Sequence, residues 1–101
     1  MTREEALAVL KSREPELRAR GIAHAGLFGS LARGENGAAS DIDVLLRFEA
    51  DAAVTLWDYV ALKRLIAGML KSAARKVDVI DLDGMSSHAR PAVERDVLYA
   101  F

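Results

Sequence analysis

Ile22-Ala23-His24-Ala25-Gly26-Leu27-Phe28-Gly29-Ser30-Leu31-Ala32-Arg33-Gly34, followed by Ser40-Asp41-Ile42-Asp43-Val44-Leu45-Leu46, is the stretch that decides this fold. Ile22 to Phe28 is short, apolar and closed by a glycine, so it reads as a strand. Asp41 to Phe48 is rich in Ile, Val and Leu and reads as a second strand. Between them, Gly29 to Gly34 reads as a turn with at most one helical turn, and Glu35 to Ser40 as a polar, small-residue loop. That interval is short for a full parallel crossover and suits an antiparallel or locally crossed pair better.

Upstream, Thr2 and Glu5 form a capping-box pattern, and Ala6, Leu7, Leu10 and Leu17 follow near the helical period. Pro15 predicts a break near Ser12–Glu14 with one more turn after it, and Gly21 a stop. Downstream, Thr55 to Lys71 reads as a long helix with Lys63 as the polar intruder among its apolar positions. Lys76 to Leu82 reads as a third strand. Met85 to Phe101 reads as a last helix, because Val93, Val97 and Phe101 recur at spacing four. The order α-β-β-α-β-α predicts an α/β (α+β) fold, one small mixed sheet covered by helices, with residues 1–101 forming a single domain.

Composition sets the limits. The 101 residues are 51% hydrophobic and 29% charged, which is globular rather than disordered composition and enough for one core. The absence of cysteine excludes disulfides, cysteine-ligated metals and thiol nucleophiles. A formal charge of −1 is a poor footprint for direct nucleic-acid binding. The start lacks the basic and apolar regions of a signal peptide, and no apolar run nears the roughly 18 residues of a membrane span. A cytoplasmic location without membrane attachment is therefore expected.

The chemistry lies in the acids. Strand side chains alternate, so Asp41 and Asp43 project from one face while Ile42, Val44 and Leu46 project from the other. Two neighbouring carboxylates repel unless a cation lies between them, and Mg²⁺ favours oxygen donors combined with substrate phosphate. Asp78 stands among Val77, Val79 and Ile80, and joins the pair if the third strand lies beside the second. Three such acids would suit a site for two metal ions about 3.5–4 Å apart. Ahead of them, Gly29 permits a tight turn, Ser30 offers an N–H and a hydroxyl, and Arg33 follows at a spacing that puts its guanidinium on the same side. This is a phosphate cradle beside a carboxylate cluster.

Gly29-Ser30, Ala32-Arg33-Gly34, Ser40-Asp41-Ile42-Asp43 and the later Asp78 resemble the DNA polymerase β-like nucleotidyltransferase superfamily. More narrowly, they resemble its minimal nucleotidyltransferases of the HEPN/MNT toxin–antitoxin type. The resemblance covers essentially the whole chain. It implies transfer of a nucleoside monophosphate, AMP from ATP, to a hydroxyl with release of pyrophosphate. It implies that Asp41 and Asp43 ligate two Mg²⁺ ions, that Asp78 helps hold the catalytic metal and activates the hydroxyl, and that Gly29, Ser30 and Arg33 hold the triphosphate. Minimal members are often encoded beside a helical HEPN toxin, and some AMPylate a tyrosine of it. With no segment left for an acceptor-binding domain, the acceptor is expected from another molecule, in a hetero-oligomer or across a homodimer. The apolar end Val97 to Phe101 suits a docking surface.

Two rival readings stand beside this one: a non-catalytic antitoxin that neutralises its partner by contact, and a transferase acting on a small molecule. Asp81, Asp83, His24 and His88 read as structural. Trp57, Tyr59, Met69 and Tyr99 read as core or interface. Arg13, Glu14, Glu16, Arg18 and Arg20 read as a solvated face with local ion pairs.

Overall fold

A computed structural model describes residues 2–34, 41–70 and 76–101. Its centre is strand β2 (Ile42–Phe48), which has a neighbour on each side. Strand β1 (Ile22–Phe28) pairs with it antiparallel, Leu27 opposite Val44 and Phe28 opposite Asp43. Strand β3 (Val77–Asp81) pairs with it in parallel, Asp43 opposite Asp78 and Val44 opposite Val79. A parallel neighbour requires a crossover, and the helix Leu56–Leu70 supplies it.

The helix-covered face of this sheet is dry. Ala25, Leu27, Ile42, Val44, Leu46 and Val79 meet Ala6, Leu10, Leu17, Leu62, Ile66 and Leu70 in one cluster. Helix α1 (Arg3–Ser12) starts on a complete capping box, with Glu5 N donating to Thr2 Oγ1 at 3.1 Å and Thr2 N donating to Glu5 Oε1 at 3.0 Å. The chain breaks at Arg13, and α2 (Glu14–Ala19) follows with Pro15 in its first turn, where a missing N–H costs nothing. The exposed charges there do pair locally: Arg13 with Glu16 at 2.7 Å and Arg18 with Glu14 at 2.6 Å. The crossover helix is tied to the sheet by Tyr59, whose hydroxyl donates to the Val79 carbonyl at 3.2 Å. Burial and the charge of Asp81 push the Tyr59 pKa up, so that hydroxyl stays protonated and able to donate.

Several boundaries differ from the sequence reading. The polar loop expected over 35–40 lies outside the described residues, as does Lys71. Asp41 falls just before β2 rather than within it, and Lys76 just before β3. The expected helix from Met85 to Phe101 is overturned. Leu82–Gly84 forms a 3₁₀ turn, only Arg90–Asp96 is helical, and Leu98–Tyr99 is a short fourth strand. Pro91 belongs in a first turn, so the helix cannot begin much earlier. The apolar spacing past Asp96 reflects strand pairing instead: Tyr99 lies opposite Gly26 and Leu98 opposite Leu27, antiparallel on the outer edge of β1. The order across the sheet is therefore β3, β2, β1 and then this edge strand, β4.

That pairing also changes the reading of the apolar end. Ala100 and Phe101 turn inward against the core, while Leu98 and Tyr99 stay partly exposed. Trp57, expected as core or interface, is 81% exposed, and Leu56 beside it 73%. No helix among the described residues is long and apolar enough to cross a membrane.

Candidate active site

The face of β2 opposite the main core carries Asp43, Leu45 and Arg47. Leu45 is fully buried, as is Leu82 from the 3₁₀ turn, and both lie outside the main cluster. Arg47 donates to Asp83 at 3.3 Å and to Tyr99, while Arg90 reaches the same Asp83 oxygen at 3.2 Å. Asp81 accepts from the Asp83 backbone N–H at 3.0 Å. Asp81 and Asp83 therefore shape the turn after β3 and anchor two arginines.

The acid end of this face is built by strand register. Parallel pairing sets Asp78 beside Asp43 on neighbouring strands. Asp41 is exposed, just ahead of β2. Burial raises the Asp43 pKa first, and the negative charges of Asp78 and then Asp41 raise it further. Lys76 and Arg33 act in the opposite direction. All five groups thus share one electrostatic neighbourhood. Lys76 Nζ lies 3.4 Å from Asp78 Oδ1.

The glycine turn closes directly on Asp43. Gly29 opens the one-turn helix α3 (Gly29–Ala32) with a φ of +73°, a conformation that L side chains disfavour. A Cβ at this position would collide with Oδ2 of Asp43. Gly29 is therefore required twice, for its own backbone and for the room the carboxylate occupies. Ser30 is half-buried in the same turn. Arg33 caps the end of α3, and its Nη1 reaches Asp96 Oδ2 at 3.0 Å. Arg3, from α1, donates to the Ala32 carbonyl at 3.0 Å and holds the turn from the other side.

The structure thus brings Gly29, Asp43 and Asp78 into direct proximity, with Asp41 and Arg33 within electrostatic reach. Among the described residues, no three His, Cys, Asp or Glu side chains form a ready-made metal cage. The donor set nonetheless suits a hard divalent cation. It consists of carboxylates only, and the strain that Asp78 and Asp41 place on ionised Asp43 is what a bound cation would relieve.

Sequence reasoning did not single out three residues that shape this site. Lys76 was within reach of it, since a cation two positions before Asp78 lies on the same side of an extended chain. Arg3 and Asp96 were not, because nothing in the spacing links position 3 to 32 or position 96 to 33.

The chain has known relatives in sequence and in fold. The Nucleotidyltransferase domain family matches residues 4–100. The protein adenylyltransferase MntA of Thermococcus cleftensis is 32% identical over 100 residues, covering 98% of this chain and 96% of its own. A solved minimal nucleotidyltransferase superimposes with a TM-score of 0.75 at 31% identity, over 97% of this chain and 95% of that one. A complex of tri-AMPylated Shewanella oneidensis HEPN toxin with MNT antitoxin shares the fold, with a TM-score of 0.62 at 21% identity over 94% of this chain and 71% of that chain. The matched span runs from the capped first helix to the edge strand and contains both the glycine turn and the paired acids, so the chain belongs to the nucleotidyltransferase family, among its minimal enzymes.

Proposed function

We propose that this nucleotidyltransferase moves AMP from ATP to a hydroxyl, a tyrosine hydroxyl of a helical HEPN-type toxin, and so acts as its antitoxin. The observation that carries the reading is the register of Asp43 against Asp78 beside a glycine turn that leaves space for the carboxylate. The activity of the Thermococcus relative and the AMPylated toxin in the Shewanella complex support the acceptor class.

In this reading Asp41 and Asp43 hold two Mg²⁺ ions and Asp78 shares the catalytic one. Bound Mg²⁺ supplies positive charge for the attacking and leaving oxygens of an in-line displacement. Asp78 takes up the proton of the acceptor hydroxyl. The oxygen–phosphorus bond forms at the α-phosphate as the bond to pyrophosphate breaks. Gly29 lets the backbone approach the triphosphate, Ser30 donates to it, and the Arg33 guanidinium binds its oxygens.

The test is mass spectrometry of a HEPN-type toxin after incubation with the chain, ATP and Mg²⁺. A gain of one or more AMP units, absent with Asp43→Asn, is the expected result. Tight association without any mass gain, unchanged in Asp43→Asn, would replace the enzyme with an antitoxin acting by contact.

A further inference from the structure

The ion pair between Arg33 and Asp96 joins the two ends of the site-bearing half of the molecule. Arg33 caps α3 directly after the glycine turn. Asp96 is the last residue of the helix Arg90–Asp96, just before β4 closes on β1. Their contact at 3.0 Å spans 63 positions of sequence. The same guanidinium is near enough to Asp43 to pull that carboxyl's pKa down. Arg33 is therefore paired with Asp96 while its charge is also felt at Asp43. A guanidinium is a planar fork with five N–H donors, so a carboxylate that fixes its plane also fixes the direction in which it meets a phosphate.

We propose that Asp96 is a positioning residue for nucleotide binding, holding the Arg33 guanidinium in the orientation that receives the triphosphate. This rests on the reading of Arg33 as a triphosphate ligand. The pair is partly exposed, so it contributes little to stability, and its value lies in direction. It also makes the helix Arg90–Asp96 part of the nucleotide site.

The experiment measures binding of a non-hydrolysable ATP analogue with Mg²⁺ to the full chain and to Arg33→Ala, Asp96→Asn, Asp96→Glu and the Arg33→Ala/Asp96→Asn double variant. Thermal melts run alongside. Asp96→Asn is expected to weaken binding about tenfold, the lower end for partners that orient a ligand-binding group. Asp96→Glu should recover most of that loss. In the Arg33→Ala background Asp96→Asn should cost nothing more, whereas a general structural defect would still add. If Arg33→Ala is weak while Asp96→Asn binds as well as the parent or more tightly, the positioning role is overturned and the phosphate reading stands. If Arg33→Ala binds like the parent, the phosphate reading itself fails, and this proposal with it.

Discussion

The two faces of β2 solve opposite problems with alternate residues of one strand. Ile42, Val44 and Leu46 face a dry cluster sealed by helices and contribute by leaving water. Asp43, one position along, faces Asp78 and the glycine turn, where partial burial and like charge make its ionised form costly. One face stabilises the sheet. The other uses that stability to hold groups that would otherwise move apart. The contrast teaches that changes one residue apart should separate folding from chemistry.

The largest expected effect breaks the chemistry alone. Asp43→Asn should lower nucleotidyl transfer by at least roughly 10²–10³-fold, the scale for losing one electrostatic stabiliser of a transition state. Its melting temperature should equal or exceed the parent's, because the strained carboxylate is gone. A steady-state transfer assay with a parallel melt checks both. A lost fold would show that the acid face also carries structure.

Leu46→Ala tests the other face. Removing a fully buried leucine should cost about 2–5 kcal/mol in denaturant unfolding. Transfer by the fraction that remains folded should persist, since Leu46 points away from the acids. A loss of turnover out of proportion to the folded fraction would show that the faces are coupled.

The smallest effect sharpens the comparison through pH. Folded Asp43 holds its proton more tightly than unfolded Asp43, so the folded state binds more protons over that interval. Stability contributed by its protonated form is present below the unfolded pKa and is lost as pH rises through the raised folded value. Metal-free protein should lose stability across the window between the ordinary aspartate value and Asp43's raised one. Asp43→Asn should lack that component, and Mg²⁺ should offset it in the parent. Urea titrations at several pH values measure the slope, and identical slopes in both proteins would remove the assigned cause.

Legibility in the sequence followed the range of the forces. The capping box of Thr2 and Glu5, the break at Pro15 and the antiparallel return from β1 to β2 are set by neighbours a few residues apart, and all were readable. Asp41, Asp43, Gly29, Ser30 and Arg33 could be singled out together because they fall in one short stretch, and of these the structure sets Gly29 directly against Asp43. The C-terminal segment was not. Val93, Val97 and Phe101 keep helical spacing, but the free edge of β1 competes for Leu98 and Tyr99, and no local pattern reveals that edge. Of the two roles read for Trp57, core or interface, the structure excludes core: it sits in the first turn of the crossover helix and is exposed. The Arg33–Asp96 contact depends on the same late pairing and was equally invisible.

The parallel register between β2 and β3 carries a consequence for biosynthesis. Position 43 meets position 78 only after the whole intervening crossover has been translated and docked. Distant pairings of this kind are slow to close relative to local turns. A nascent chain leaving the ribosome therefore has its glycine turn and antiparallel hairpin well before its acids are matched. Catalytic competence should arrive as one of the last events of maturation.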